Sequence, residues 1–305
     1  MKFHTLLYFS KIDNNPNLSK KHNRKKIHIY VKNAENLFLT LKKYNFELVI
    51  LTNKPNLIKQ HLDVNIKVIK INFSLYVPKK IKFYSAHFKI EALKYLSKLK
   101  YSCLIDSDVL AIKKPPKFFL EGLSYKINML YKIRKNVYSQ KDQISQKILY
   151  SYNVCNNIFN KNSEWYGGEF IVGNAIFFKS IYKTILKIYP NYLKNFHNLY
   201  HQGDEMLLNS AIQLLKLNNN FIFKDISQKK IIARYWSINT IHKQKNVNYY
   251  LKNFLLHLPA DKKFISELNS SNLSKIQVYN SVKTHVSSKK TLLLNFIKKI
   301  IQILN

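Results

Sequence analysis

Apolar residues recur along the first third of the chain in two alternating patterns. Residues 3–9 form an apolar run typical of a strand, whereas Leu37, Leu41 and Tyr44 lie at the spacing of one helical face. Because strands and helices alternate in this way as far as residue 110, the pattern favours an α/β fold with a doubly wound, mostly parallel sheet. The predicted strands of this part are 3–9, 47–52, 66–73 and 101–105, with further helices at 56–62 and 83–99.

The rest of the chain has a weaker periodicity. The elements predicted there are strands at 127–131 and 170–178 and helices from Ser180 and over 204–215. We predict one domain over residues 1–268, built from two integrated halves, 1–110 and 111–268. A Ser/Asn-rich linker is predicted to follow at 269–290.

The last segment, residues 291–305, has a different pattern. Its polar residues fall on one helical face while Leu and Ile fill the rest, which predicts an amphipathic C-terminal helix. Three roles are open for this helix: packing on the domain, anchoring to an anionic membrane surface, or forming a dimer contact. The polar face consists of Asn295, Lys298, Lys299, Gln302 and Asn305.

The charge balance of the chain is strongly basic. The 305 residues include 51 Lys and Arg against 16 Asp and Glu, a formal net charge of +35. Such a surface attracts polyanions, whether nucleic acid, anionic lipid or a phosphorylated substrate. A compositional origin is equally open, because the chain is also rich in Asn, Ile, Tyr and Phe. A hydrophobic content of 46% supplies enough apolar side chains for a core and argues against disorder.

The cysteines and the apolar runs bear on the cellular compartment. Cys103 is predicted to be a buried strand residue, and Cys155 lies far from it in sequence, so we expect no disulfide. No apolar run approaches the roughly 18 residues needed to span a bilayer, and the N-terminal run is too short for a secretory signal. We therefore expect a cytoplasmic protein, and a peripheral position on the inner face of the membrane stays open.

Two carboxylates stand at the end of a predicted strand. Asp106 and Asp108 flank Ser107 directly after the apolar run at 101–105. Ligands bind beyond the carboxyl ends of the strands in open α/β sheets, and Mg²⁺ or Mn²⁺ prefers oxygen ligands. Polar residues that interrupt an apolar run are costly to bury unless they bind something. The pattern therefore predicts a divalent-cation site; the alternative is a capped turn.

Glycines and further acids mark two other segments. The chain has only five glycines, and four of them lie near the acidic residues Glu169, Asp204 and Glu205. Glycine indicates backbone that turns sharply or approaches a ligand closely, although ordinary turns would also explain it. Asp204 and Glu205 open a predicted helix, where carboxylates stabilise the first turn or serve as catalytic or acceptor-binding groups. The four glycines are Gly167, Gly168, Gly173 and Gly203.

A histidine followed by lysines forms the last candidate segment. His257 ends an apolar run and precedes Lys262 and Lys263. An imidazole at that position is able to complete a metal site, and a nearby ammonium group is able to bind a diphosphate.

Together these segments resemble the GT-A fold nucleotide-diphosphosugar glycosyltransferases. The likeness is closest to the retaining type that includes glycogenin and the bacterial lipopolysaccharide galactosyl- and glucosyltransferases, and it covers roughly residues 2–264. The family's Asp-x-Asp motif is matched by Asp106 and Asp108. Its basic residue in the preceding helix is similar to Lys89, and its Asp-Gln-x-x-Leu-Asn motif is similar to residues 204–209.

The family's His-x-x-Gly-x-x-Lys-Pro segment aligns with His257, Ala260, Lys263 and Phe264. This resemblance implies that Asp106, Asp108 and His257 bind Mn²⁺ or Mg²⁺. The nucleoside diphosphosugar would be bound at Ser107 between the two aspartates, by Lys89 and by Lys263. Residues 1–110 would form the nucleotide-binding half and 111–268 the acceptor and catalytic half.

This sequence also departs from the family pattern. Glu205 stands where the family has Gln, Ala260 replaces Gly and Phe264 replaces Pro. A carboxylate at Glu205 or Glu169 is able to act as a base for inversion of the sugar stereochemistry, so retention and inversion both stay open.

The resemblance implies transfer of a sugar, with a UDP-sugar favoured, to a glycan or lipid-linked acceptor, in polysaccharide synthesis at the membrane surface. One rival is a basic, non-enzymatic nucleic-acid-binding protein, which would bind RNA in a salt-dependent manner without a metal. A second rival is a metal-dependent nucleotidyltransferase, which would release pyrophosphate. We expect no specific nucleic-acid partner.

Overall fold

A computed structural model describes residues 1–10, 26–79, 81–134, 164–217, 221–237 and 244–288. The strands are β1 (Lys2–Leu7), β2 (Glu47–Thr52), β3 (Lys67–Lys70), β4 (Tyr101–Ile105), β5 (Val109–Ala111), β6 (Met129–Arg134), β7 (Trp165–Asn174), β8 (Lys224–Asp225), β9 (Ile232–Arg234) and β10 (Leu255–His257). The α-helices are α1 (Lys26–Lys42), α2 (Pro55–Lys59), α3 (Lys89–Leu96), α4 (Lys117–Ser124), α5 (Ala175–Asn195), α6 (Asp204–Lys216), α7 (Val247–Tyr250), α8 (Lys262–Glu267) and α9 (Lys275–Val286). Two 3-10 helices cover Tyr84–Phe88 and Phe196–Asn198.

Two sheets organise the described residues. The main one has seven strands in the order β3-β2-β1-β4-β7-β6-β8. Its first four strands are mutually parallel, and β6 and β8 are parallel to each other, while β7 is antiparallel to both β4 and β6. A smaller sheet has the order β5-β10-β9. The predicted α/β fold with a doubly wound, mostly parallel sheet is confirmed.

Strand β4 lies between two apolar clusters. Cys103 packs with Leu37 and Leu41 of α1 on one face, and its burial as a strand residue is confirmed. Leu104 packs with residues of α3, α5 and α6 on the other face. Because successive side chains of a strand point to opposite faces, an apolar run covered on both sides has no alternation of polar residues. The end of β4 is therefore held rigidly by both layers.

Within the predicted linker at 269–290, the described residues up to 288 include a helix. Ser274 starts helix α9 with a reciprocal capping box, in which its hydroxyl accepts from Gln277 N and the Gln277 side chain accepts from Ser274 N. Val278, Val282 and Val286 recur every four residues and are buried in a third apolar cluster. The polar residues between these valines hide the helical period, which is why composition alone indicated a linker.

Two boundaries in the middle of the chain also differ from the prediction. Strand β7 ends at Asn174, whose side chain accepts a hydrogen bond from Phe177 N and starts α5 there rather than at Ser180. Helix α4 lies just before the predicted strand at 127–131, which is observed as Met129–Arg134.

Cys155 and the predicted C-terminal helix at 291–305 lie outside the described residues. Among the described helices, none combines the length and apolar character that crossing a membrane requires.

Candidate metal and donor site

The turn after β4 and the end of β10 bring three predicted metal ligands together. Asp106 directly follows β4, and its backbone N–H donates to Glu169 O at 3.1 Å. Strand β10 pairs antiparallel with β5, so that His257 stands opposite Val109, and Leu258 N donates to Asp108 O at 3.0 Å. Strand pairing thus fixes the histidine beside the carboxylates that follow β4.

The inner atoms of these three side chains face one another. His257 Nε2 lies 3.1 Å from Asp108 Oδ1 and 4.0 Å from Asp106 Oδ2. One ligand atom from each residue lies within 4.8 Å of the other two. Two carboxylate oxygens and an imidazole nitrogen are donors that Mn²⁺ or Mg²⁺ accepts. The residues therefore fit a divalent cation.

The outer oxygen of each aspartate accepts from a lysine. Lys89 Nζ lies 2.8 Å from Asp106 Oδ1, and Lys262 Nζ contacts Asp108 Oδ2. These ion pairs hold each carboxylate by one oxygen and leave the other directed at the cluster. Second contacts of this kind orient metal ligands in proteins.

Lys89 also joins the cluster to the start of α6. Its Nζ lies 2.9 Å from Asp204 Oδ2 and donates to Gly168 O at 3.2 Å. Burial by itself would lower the pKa of Lys89, but the carboxylates of Asp106 and Asp204 outweigh it and raise this pKa. Lys89 is therefore a permanent cation between two carboxylates.

Behind His257 lies a second buried ion-pair group that includes Arg234, which the sequence analysis did not single out. Arg234 Nε and Nη2 donate to the two oxygens of Glu169 at 2.9 and 2.5 Å, and Nη2 also contacts Glu205 Oε1. Glu169 Oε1 in turn lies 3.5 Å from His257 Nδ1. Strands β9 and β10 pair in parallel with Arg234 in register with His257, which places the two side by side.

Glu169 and Glu205 are held as anions by Arg234. Burial opposes ionisation of both groups, but Arg234 outweighs it and keeps the pKa of each carboxyl below its usual range. Glu205 also accepts from Trp165 Nε1 at 3.0 Å and from Gly168 N at 3.3 Å. A carboxylate with a lowered pKa is a weak proton acceptor.

Burial and charge act together on the metal-site residues. Burial would lower the pKa of His257, yet Asp108 and Glu169 raise it to about 9. Burial raises the pKa of Asp106, with the neighbouring Asp108 adding to the effect, whereas Lys262 and His257 hold the pKa of Asp108 low. The carboxylates of Asp108 and Glu169 therefore favour positive charge at His257.

Two glycines allow the close packing around these ion pairs. A Cβ atom on Gly167 would stand 1.9 Å from Glu169 Oε2, and one on Gly168 would stand 3.2 Å from Asp204 Oδ2. Neither glycine has a positive φ. Close approach of side chains, rather than a special turn, accounts for glycine at these two positions.

The metal-site residues line one wall of a large cleft. The cleft has a volume of about 1250 Å³, and Asp106, Ser107, Asp108, Asp204 and His257 all border it. Ser107 is buried there. Lys263 lies elsewhere: its side chain is 59% exposed and lies 3.6 Å from Glu267. The lysine that contacts Asp108 is its neighbour, Lys262.

The charges of the ion-pair cluster beside the cleft do not balance among the described residues. Five of the 16 acidic residues lie in this cluster, whereas three Lys and Arg residues within the described ranges contact them, namely Lys89, Lys262 and Arg234. His257 has to be deprotonated at Nε2 to bind a cation; in that state two negative charges are left in this cluster, and with His257 protonated one is left. The five carboxylates are Asp106, Asp108, Glu169, Asp204 and Glu205.

Comparisons with known proteins gave two results. No protein-family model matches the sequence, and none of the curated proteins matches it. Among solved structures, an active-site mutant of LgtC is similar over 85% of this chain and 87% of its own, with 10% sequence identity and a TM-score of 0.44. The bifunctional glycosyltransferase WbbM in its apo form is similar over 96% of this chain and 51% of its own, with 11% identity and a TM-score of 0.44.

Proposed function

We propose that this protein is a glycosyltransferase that uses a divalent metal ion to transfer a sugar from a nucleoside diphosphosugar to a glycan or lipid-linked acceptor. The observation that carries the proposal is the group of three ligand atoms on Asp106, Asp108 and His257 that lie within 4.8 Å of one another beside a large cleft. Asp106, Asp108 and His257 would hold the ion, which when bound would supply positive charge to the departing diphosphate.

The chain's own residues would prepare the site for this reaction. Lys89 and Lys262 hold the outer oxygens of the aspartates, so that little reorganisation is needed when a cation and a diphosphate arrive. Asp204 borders the cleft, with its Oδ2 2.9 Å from Lys89 Nζ, and would accept from a hydroxyl of the donor sugar. Glu169 Oε1 lies 3.5 Å from His257 Nδ1 and would help to keep Nε2 directed at the cluster.

Incubation with a panel of nucleotide sugars and Mn²⁺ tests the proposal. Release of a nucleoside diphosphate is expected, and Asp106→Asn should slow it by about a hundredfold or more. Asp63→Asn is the matched control, because this carboxylate is 77% exposed and pairs with Lys32 away from the cleft. Release of pyrophosphate would indicate a nucleotidyltransferase. Metal-independent RNA binding without turnover of any sugar nucleotide would indicate a nucleic-acid-binding protein.

A further inference from the structure

The cleft continues beyond the metal site along a second wall. This wall comes from the segments 227–236 and 244–253, which carry β9 and α7. Phe254 N donates to Lys230 O at 2.9 Å, and Gln244 exchanges two hydrogen bonds with the backbone of Trp236, at 2.8 and 2.7 Å. Backbone contacts thus hold the two segments together as one surface.

Three exposed lysines stand on this wall, and we call Lys230, Lys245 and Lys252 the lysine wall. Within the part of the chain that the structure describes, none of the three forms an ion pair, whereas each described carboxylate has another partner, such as Lys89, Lys132 or Lys262. Charges of one sign along a cleft with low-dielectric walls concentrate the field inside it. The lysine wall is therefore free to bind an anionic group.

Aromatic rings accompany these lysines. Lys245 Nζ lies 3.9 Å from the centre of the Tyr249 ring, and Tyr249 is 39% exposed. Tyr249 packs edge-on against Tyr250 at 5.4 Å, while Lys245 N donates to the Tyr250 hydroxyl at 3.0 Å. The apolar face of a sugar ring packs on exposed aromatic rings, and ammonium groups beside such rings bind phosphate or carboxylate.

The lysine wall extends along the cleft away from the metal site. Arg234 ends β9 beside His257, whereas Lys230 lies in the turn before this strand, with a φ of 54°. Lys230 O accepts from Phe254 N, and Phe254 stands three residues before His257, about 10 Å along an extended chain. The donor diphosphate would already have Lys89 and Lys262 beside its metal ligands, so the lysine wall would contact a different molecule in the same cleft.

We infer that the lysine wall is the acceptor subsite and that the acceptor is a glycan carrying a phosphate group. This inference rests on the proposed glycosyltransferase function. The sugar would pack on Tyr249 while Lys230, Lys245 and Lys252 bind its phosphate, and the reacting hydroxyl would point towards the metal site.

Binding of glucose 6-phosphate and of glucose, in the presence of UDP-glucose and Mn²⁺, tests the inference. The triple variant Lys230→Gln, Lys245→Gln, Lys252→Gln should weaken binding of the sugar phosphate by about tenfold and leave glucose unchanged. The matched control replaces Lys179, Lys183 and Lys187 by Gln, since these lysines are equally exposed along α5, outside the cleft. This control should bind like the wild type.

Further outcomes distinguish a sugar phosphate from inorganic phosphate and from a lipid surface. They also distinguish failure of the acceptor subsite from failure of the proposed function. Equal binding of glucose and glucose 6-phosphate, or equal loss in both triple variants, would overturn the phosphate subsite. Binding of inorganic phosphate as tight as that of the sugar phosphate would overturn the glycan component. Loss of binding to phosphatidylglycerol vesicles, with sugar-phosphate binding intact, would make the lysine wall a membrane contact instead. If wild-type protein binds no nucleotide sugar with Mn²⁺, the proposed function itself fails.

Discussion

Replacing Arg234 by Met should destabilise the protein far more than the loss of an ordinary ion pair. The side chain of Arg234 is 13% exposed, and it is the cation for Glu169, which has no exposed surface, and for Glu205, which is 25% exposed. Met keeps most of the side-chain volume but removes the charge. Glu169 would then be a buried anion without its cation, next to His257 Nδ1.

The expected loss follows from the burial of Glu169. Breaking a buried ion pair by removing one partner costs about 3–5 kcal/mol. Glu205 should add little to this value, because it is partly solvated and keeps its hydrogen bonds from Trp165 and Gly168. A loss of this size is a large share of a typical unfolding free energy of about 5–15 kcal/mol.

Chemical denaturation of matched variants measures the effect. Adding Glu169→Gln to Arg234→Met removes the stranded charge, so the double variant should recover most of the lost stability. Lys117→Met is the control, because its ion pair with Glu121 is 90% and 51% exposed and should contribute at most about 0.5 kcal/mol. An exposed ion pair contributes at most about 1 kcal/mol. If the unfolding free energy of Arg234→Met lies within about 1 kcal/mol of the wild-type value, the reasoning about this buried ion-pair group is refuted.

The same variants report on the metal site. Glu169→Gln in an otherwise wild-type chain should weaken Mn²⁺ binding about 10–100-fold, since Glu169 Oε1 lies 3.5 Å from Nδ1 of the candidate metal ligand His257. Isothermal titration with Mn²⁺ measures this without relying on turnover. Unchanged affinity would show that Glu169 does not position His257.

Two further predictions concern close packing and pH. Gly167→Ala should lower the unfolding free energy by about 1–3 kcal/mol, because its Cβ would clash with the Glu169 carboxylate that Arg234 holds in place. The control is Gly203→Ala, where the nearest atom would lie 3.6 Å from the new Cβ, and it should be nearly neutral. Thermal unfolding measures both variants. Burial lowers the pKa of His4 from 6.5 to about 4, so the unfolded chain takes up the proton first as the pH falls. Stability should therefore drop by up to about 3 kcal/mol between pH 6.5 and 4. His4→Gln should flatten that dependence in unfolding curves measured at several pH values, and the exposed His197→Gln should leave it unchanged.

Local patterns of apolar and polar residues predicted most of the fold and part of the candidate site. The apolar run at 101–105 ends at Asp106 in both the sequence pattern and the structure, because a strand covered on both faces must end where polar residues begin. Arg234 was not predicted as a site residue, although it ends an apolar run as His257 does. Only the pairing of β9 with β10, a contact distant in sequence, brings these two residues together.

The choice between Lys262 and Lys263 shows the same limit. The two residues are adjacent and chemically identical, so spacing from His257 is a weak guide to which one faces the carboxylates. Packing of α8 decides it: Lys262, at the first position of the helix, is buried against Asp108, and Lys263 points to solvent beside Glu267. Which side of a short helix is covered depends on tertiary contacts, and the sequence motif alone does not contain them.

The basic composition makes the acids more informative than the lysines. Acidic residues are 16 of 305, yet five of them come from three separate segments to one ion-pair cluster. Buried ion pairs add little net stability compared with apolar packing, so stability alone does not account for that concentration, whereas the proposed cation binding would. Lysine is abundant throughout this chain. A group of lysines therefore indicates a binding site only if it lies in the cleft and has no carboxylate partners among the described residues. The comparison of the lysine wall with the lysines of α5 tests that distinction directly, because the two sets differ in location and not in charge.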